Sequence, residues 1–269
     1  YQQRSASNPG GYSDANEGIE GYQRLHAMFV AAIESIAGQV PAGLDLDLDD
    51  NGEVDNVCFM AKGNADDWAD VLWPHMWTLM DGYDCYINAQ KVSTYDFQLQ
   101  DVVDNPSVGV GVLCHEMFHS LGAPDLYRYE TGQGTFAPVG RWDVMESSTN
   151  PPQHMTMFMK LRYGGWLNSI PQITASGSYP LSPVTAATNN CYRIASPNST
   201  TEYFVVEYRR TASSMFEAEL PGTGLIVYRI NPAADGEGNA YGPPDEVYIY
   251  RPGGTLQVNG QILAAHFSA

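Results

Sequence analysis

The sequence predicts an α+β protein in which helices and strands mix in the first 169 residues and strands prevail afterwards. Apolar residues recur at steps of three and four over residues 18–36, which is the spacing of an amphipathic helix. After residue 170 they fall in short alternating runs separated by Pro and Gly, which is typical of strands. The chain is 43% hydrophobic and 16% charged, a composition of folded rather than disordered proteins.

Each predicted element has a local reason in the sequence. The first helix is closed by Gly38 and Pro41, and the second has Pro106 at its first helical position and Gly122 at its end. Apolar residues on most faces of the second helix indicate that it is buried. The elements, in order, are a helix over 18–36, a strand over 54–61, helices over 106–122 and 155–163, and strands over 192–194, 203–208, 225–230 and 247–250.

The spacing of apolar residues changes from helical to alternating near residue 170, which predicts two domains. We expect residues 1–169 to form one domain with a mixed sheet, a central helix and a later helix. Residues 170–269 are expected to form a β-rich, sandwich-like domain that packs against it.

The charge of the chain excludes one large class of function. Thirty-one acidic residues against 13 Lys and Arg give a net charge of −18, whereas nucleic-acid binding needs clustered basic residues. The same carboxylates suit hard cations such as calcium. No run approaches the ~18 apolar residues of a membrane-spanning helix, so we expect a soluble protein without a membrane span.

The chain start and the cysteines give less information. The first residues are polar, so either a secretory leader has been removed or the chain is part of a longer precursor. Four cysteines allow three pairings or none, and the sequence does not choose between them.

The segment from His115 to Asp125 predicts a catalytic zinc site. His115 and His119 lie four positions apart on one predicted helix, so both rings can reach one ion. Gly122 ends the helix and lets the chain turn back, which can bring Asp125 to the same ion. Three protein ligands leave a position open, as in catalytic zinc sites. Glu116 is placed to act as the general base.

The segment from Asp47 to Asp55 predicts a structural calcium site. Side-chain oxygens recur at the first, third, fifth and ninth positions with Gly at the sixth, and the seventh offers a backbone carbonyl. Cys58 replaces the twelfth-position Glu, so the loop is not an EF-hand. The alternative is a solvated acidic turn. The predicted ligands are Asp47, Asn51, Asp49, Glu53 and Asp55.

The zinc motif carries a resemblance to a known clan of peptidases. The pattern His-Glu-x-x-His-x-x-Gly-x-x-Asp, followed by Trp142-Asp143-Val144-Met145, resembles the metzincins. Within that clan the chain is similar to the immune inhibitor A family of secreted bacterial peptidases. Further stretches that carry this similarity are Trp73-Pro74-His75, the helix end at Lys160–Trp166 and Tyr203–Arg209.

The resemblance implies a role for each matched residue. His115, His119 and Asp125 would be zinc ligands, Glu116 the general base, and Met145 the methionine turn beneath the metal. Asp125 stands where the metzincin signature has His, and Ser147 stands where many metzincins have a Tyr that stabilises the oxyanion. That last role is therefore open, with Tyr127 and His154 as candidates.

The resemblance also implies the function. We expect a monomeric, secreted zinc endopeptidase with a metzincin-like catalytic domain, which acts on protein or peptide substrates outside the cell. One alternative is a non-catalytic extracellular binding or adhesion module with structural zinc and calcium sites, although such a module has no need of Glu116. The other is a zinc hydrolase that acts on bonds other than peptide bonds.

Overall fold

The computed structural model describes residues 19–63, 72–129 and 136–268, without the side chains of residues 19 and 20. Over these ranges the chain is a mixed α+β protein, as the sequence predicts. It divides into two compact units, residues 1–105 and 106–269.

The first unit is built around one central strand. The elements are α1 Ile19–Ala37, β1 Cys58–Ala61, β2 His75–Thr78, β3 Tyr86–Ile87, β4 Gln90–Lys91, β5 Thr94–Leu99 and α2 Gln100–Val103. Strand β5 pairs in parallel with β1 and antiparallel with β2, while β3 and β4 form a separate hairpin. Leu25, Phe29 and Ile33 lie four positions apart along α1 and are fully or almost fully buried, so they form its core-facing stripe.

The second unit combines two helices with a five-stranded sheet. The elements are α3 Gly109–His119, α4 Met157–Arg162, β6 Gln172–Ile173, β7 Cys191–Ala195, β8 Tyr203–Arg209, β9 Gly224–Ile230 and β10 Val247–Ile249. The strands follow the order β10-β9-β8-β7-β6, and all neighbours are antiparallel except β6 and β7. Residues alternate between buried and partly exposed along β9, as expected of a sheet with one face on a core.

The predicted helix start at Pro106 is wrong by three residues. Helix α3 begins at Gly109, and Val108 precedes it with non-helical backbone angles (φ −126°). The helix ends at His119, three residues before the predicted bound of 122, and Gly122 has the predicted left-handed conformation, with a φ of 86°. Of the other predicted elements, the strand over 54–61 is shorter, at 58–61, and the remaining helices and strands agree within about two residues.

One hydrophobic core runs through the second unit on both sides of residue 170. Trp142, Met145 and Met157 from the earlier part pack in the same cluster as Val205 and Tyr228 from the sheet. The compact units of the structure therefore do not coincide with the predicted domains 1–169 and 170–269. The β-rich texture predicted after residue 170 is present, but its buried face shares a core with the residues before it.

Arg209 is extensively hydrogen-bonded in the interior of this unit. Its side chain is fully buried in β8, and its N–H groups donate five hydrogen bonds. Three go to carboxylate oxygens of Glu217 and Glu207, at 2.6–3.2 Å. The other two go to the carbonyl oxygens of Trp142 (2.6 Å) and His154 (3.1 Å). Since a guanidinium has five N–H groups, all of them are satisfied.

Two buried carboxylates of the same region hold the start of α4. Asp143 Oδ2 accepts a hydrogen bond from the backbone N–H of Thr156 (2.6 Å), and Glu207 Oε2 accepts one from Met157 (2.8 Å). Burial raises the pKa of both carboxyls, and the charge of Arg209 acts against that rise. The positive end of α4 and the guanidinium therefore compensate these buried charges.

Two further features can be stated for the described part of the chain. No described helix combines the length and the apolarity needed to cross a membrane. All four cysteines fall within the described ranges and are free thiols, so the choice that the sequence left open is resolved in favour of no disulfide.

We expect Arg209→Met to lower the free energy of unfolding by about 3–5 kcal/mol, because it leaves buried carboxylates without their partner. Urea denaturation followed by fluorescence measures the loss. The deficit should shrink as the pH is lowered, because protonation removes the charge of Glu207, whose pKa is already raised by burial. Arg210→Met is the matched control, since Arg210 is exposed and its replacement should change stability by less than about 0.5 kcal/mol. Equal effects of the two variants would contradict the role given to Arg209.

Candidate metal centre

Helix α3 carries two histidines on one face and lies very close to a neighbouring loop. His115 and His119 are one helical turn apart, with ring centroids 4.8 Å from each other. A Cβ on Gly111 would lie 2.1 Å from the carbonyl oxygen of Thr149. Only glycine therefore allows the helix to approach the 143–150 loop this closely.

The chain after α3 turns back and brings Asp125 to the two histidines. Gly122 supplies the left-handed turn. Asp125 Oδ1 then lies 3.0 Å from His115 Nε2 and 3.3 Å from His119 Nε2, and the two Nε2 atoms are 3.2 Å apart. These residues, here called the ligand cluster, form a group that could hold a metal ion.

Backbone carbonyls fix the orientation of both imidazoles. His115 Nδ1 is 2.9 Å from the carbonyl oxygen of Val144, and His119 Nδ1 is 2.7 Å from that of Ala123. A carbonyl oxygen can only accept, so each Nδ1 carries a proton and donates it. In the neutral ring this leaves the lone pair on Nε2, directed at the cluster, as in metal-ligating histidines.

The electrostatics of the cluster favour a positive charge at its centre. Burial lowers the pKa of His115, but the carboxylate of Asp125 outweighs burial and raises the pKa to about 9. Burial raises the pKa of Asp125, and the two imidazoles bring it well below its ordinary range. Two imidazole nitrogens and a carboxylate oxygen are also the donors that zinc prefers, so the residues fit such an ion.

The predicted methionine turn lies directly beside the ligand cluster. Met145 is fully buried, and its carbonyl oxygen accepts a hydrogen bond from the backbone N–H of Leu126 (2.9 Å). Its own N–H donates to Asp143 Oδ1 (2.9 Å). Together with the carbonyl of Val144, this loop contacts one histidine and the residue that follows Asp125.

The remaining predicted site residues fall at different distances from the cluster. Glu116 is buried on α3, immediately after His115. The ring of Tyr127 lies 6.4 Å from that of His115 and nearly parallel to it (18°). His154 instead packs against Phe216, with ring centroids 5.8 Å apart. Of the two oxyanion candidates, Tyr127 is the one with a ring contact to a residue of the cluster among the contacts described.

The sequence reasoning missed Tyr129. Its hydroxyl donates a hydrogen bond of 2.6 Å to Asp125 Oδ2, the oxygen that does not face the histidines. Burial, followed by the neighbouring carboxylate of Asp125, raises the pKa of this phenol far above its ordinary value, so it remains a donor. Residues 123–129 form an irregular loop, so no periodicity in the sequence could have paired these two side chains.

The predicted calcium loop lies in the first unit and is partly assembled as expected. Carboxylate oxygens of Asp47, Asp49 and Asp55 lie within 4.8 Å of one another. Partial burial raises the pKa of Asp47, but hydrogen bonds from the backbone N–H groups of Gly52 and Asn51 outweigh it and lower the pKa.

The other two predicted calcium ligands would contribute oxygens that are not carboxylates, the side-chain amide of Asn51 and the backbone carbonyl of Glu53. The side-chain oxygen of Asn51 accepts a hydrogen bond from the backbone N–H of Glu53 (2.8 Å), which turns it into the loop. The backbone of Glu53 forms an isolated parallel β-bridge with that of Lys91.

Two imidazoles one helical turn apart and a carboxylate are a donor set that metal-dependent hydrolases use. Residues 59–158 match the family described as immune inhibitor A peptidase M6, catalytic domain. This segment contains the ligand cluster, Glu116 and Met145. The match supports a metallopeptidase and confirms the resemblance to the immune inhibitor A peptidases.

One curated relative shares part of this sequence. The chain is 30% identical to immune inhibitor A of Bacillus thuringiensis subsp. alesti over an alignment that covers 38% of this chain. The same alignment covers 17% of that protein, so the chain spans less than a fifth of the length of its relative.

Proposed function

We propose that this chain is a secreted zinc-dependent endopeptidase that hydrolyses protein substrates. The observation that carries the proposal is the ligand cluster, with Glu116 next to His115 on the same buried helix. Two imidazoles and one carboxylate leave a fourth position open, which distinguishes a catalytic zinc site from a closed structural one. The match of residues 59–158 to a peptidase family supports peptide bonds as the substrate.

In this proposal each residue of the chain has one task. His115, His119 and Asp125 hold the ion, and Glu116 accepts a proton from the attacking water and returns it to the leaving amine. Zinc bound at the cluster supplies Lewis acidity, which lowers the pKa of water and polarises a carbonyl. The carbonyls of Val144 and Ala123 keep both imidazoles oriented. The candidate for stabilising the oxyanion is Tyr127, whose ring lies beside that of His115.

The metzincin-like features belong to the same proposal. Met145 and the loop around it would form the methionine turn, and α4 the helix that follows it. We further propose that the protein acts outside the cell as a monomer, in keeping with the secreted bacterial peptidases that the motifs resemble. The division of the chain into a catalytic domain of residues 1–169 and a β-rich domain of residues 170–269 remains a prediction.

We expect one zinc ion per chain in the wild type and a large loss of zinc in Asp125→Ala, because two imidazoles alone bind the ion weakly. Inductively coupled plasma mass spectrometry of the purified chain measures the content. Asp235→Asn is the control, since the side chain of Asp235 is exposed and should leave zinc unchanged. A wild type that takes up no added zinc would overturn the zinc site, and full zinc in Asp125→Ala would assign the third ligand elsewhere.

We expect Glu116→Gln to retain zinc and to lose at least about 100-fold in the rate of casein hydrolysis, since general-base catalysis contributes roughly 10²–10⁴-fold. Glu219→Gln is the matched control, because the side chain of Glu219 is half-exposed and makes only a 3.7 Å ion pair with Arg141. A Glu116→Gln variant with most of its turnover would remove Glu116 from the mechanism. Zinc without activity on casein or gelatin in the wild type would favour a binding module or a different hydrolase.

We also propose a structural calcium ion at the acidic loop of the first unit. Three carboxylates converge there, and the pKa of Asp47 is lowered, so the loop carries negative charge at neutral pH. Glycine at position 52 has a φ of +88°, which allows the tight turn that a calcium loop needs.

We expect 10 mM calcium to raise the melting temperature by a few degrees. A site with a dissociation constant of about 1 mM contributes about 1.4 kcal/mol at that concentration. Differential scanning calorimetry with calcium and with chelator measures the shift. Asp49→Asn should reduce it, whereas Asp81→Asn, an exposed acid outside the loop, should not. No shift in the wild type would leave the loop as a solvated acidic turn.

A further inference from the structure

Two residues outside the metal-binding motif hold Asp125, one through its side chain and one through its backbone. The hydroxyl of Tyr129 donates a hydrogen bond to the side-chain Oδ2 of Asp125 at 2.6 Å. This bond occupies one carboxylate oxygen and leaves Oδ1 to face the two histidines. A carboxylate fixed in this way can offer the metal a single oxygen in a defined position.

The backbone of Asp125 is held by the loop between β9 and β10. The N–H of Asn239 donates to the carbonyl oxygen of Asp125 (2.9 Å), and its side-chain Nδ2 donates to that of Leu126 (2.8 Å). The carbonyl oxygen of Ala240 accepts from the N–H of Tyr129 (3.0 Å). Three consecutive contacts therefore tie residues 125–129 to residues 239–240.

Asn239 is itself rigidly placed. It is fully buried, and its side chain also exchanges two hydrogen bonds with the backbone of Val247 in β10, at 2.8 and 3.0 Å. Gly238 has a φ of +59°, and a Cβ there would lie 2.2 Å from the carbonyl oxygen of Asp125. The loop therefore packs against the backbone of Asp125 only with glycine at position 238. Because Asn239 is bonded to β10, the position of Asp125 is fixed relative to the sheet.

We propose that Tyr129 and Asn239 are positioning residues for the metal ligand Asp125, Tyr129 by orienting its carboxylate and Asn239 by anchoring its backbone to the β-sheet. This inference rests on the proposed zinc site. It implies that the strands after residue 170 complete that site, because the anchor comes from the β9–β10 loop. Groups that orient a ligand in this way typically contribute 10- to 100-fold to metal affinity.

The test uses the full chain, stripped of metal and titrated with zinc and, separately, with cobalt. Tyr129→Phe removes only the hydroxyl that contacts Asp125, and we expect it to weaken zinc binding about tenfold and to shift the visible bands of the cobalt form. Tyr241→Phe is the matched control. Tyr241 packs edge-on against Tyr129, with centroids 6.0 Å apart, and is 71% exposed, so loss of its hydroxyl should change neither readout.

Combination with Asp125→Asn separates positioning from a general structural role. If Tyr129 acts through the carboxylate, Tyr129→Phe should have no further effect on zinc binding once Asp125 is replaced. Asn239→Ala should also weaken zinc binding only when Asp125 is present, whatever it costs in melting temperature. Tyr129→Phe is expected to fold normally, so the test does not depend on the stability of Asn239→Ala.

The outcomes distinguish this inference from the proposed function. Wild-type zinc affinity and an unchanged cobalt spectrum in Tyr129→Phe, while Asp125→Asn loses zinc, would overturn the positioning role and leave the zinc site intact. An equal loss of zinc affinity from Tyr129→Phe with and without Asp125 would likewise overturn it. A wild type that binds no zinc, or an Asp125→Asn variant that binds it normally, would overturn both proposals.

Discussion

The second unit depends on the burial of one guanidinium. Arg209 has no contact with solvent, so each of its five N–H groups needs a partner inside the protein. Outside β8, these partners lie on the Glu217 turn and on the two segments that carry Trp142 and His154, so the hydrogen bonds connect all three to β8. Those two segments flank the loop around Met145. The buried ion network in the sheet therefore fixes where that loop lies, and the loop in turn contacts His115.

The candidate metal centre is oriented largely by backbone groups. Carbonyl oxygens of Val144 and Ala123 fix the two imidazoles, and the carbonyl of Asp125 itself is held by Asn239. Backbone groups have fixed positions once the fold is formed, so they orient ligands without further loss of side-chain entropy. Gly111 allows α3 to lie close to Thr149, in the same loop as the Val144 carbonyl that His115 contacts.

Much of the fold could be predicted from the sequence, because the relevant signals are local. The stripe of Leu25, Phe29 and Ile33 gives α1, and alternation gives β9, since each pattern reflects one face of one element. Domain organisation is a different problem. The texture changes near residue 170, but Val205 and Tyr228 bury their side chains in the same core as Trp142. Which apolar faces meet is a long-range property that no local pattern records.

The sequence by itself determined the chemistry of the candidate centre. The four-residue spacing of His115 and His119, the helix stop at Gly122 and the nearby Asp125 define three donors that a helix and one turn can bring together. Only the tertiary structure decided what holds them. Tyr129 reaches Asp125 within an irregular loop, and Asn239 reaches it from more than a hundred residues away. Those contacts arise from the packing of the sheet against the ligand loop, so they have no spacing that could be read along the chain.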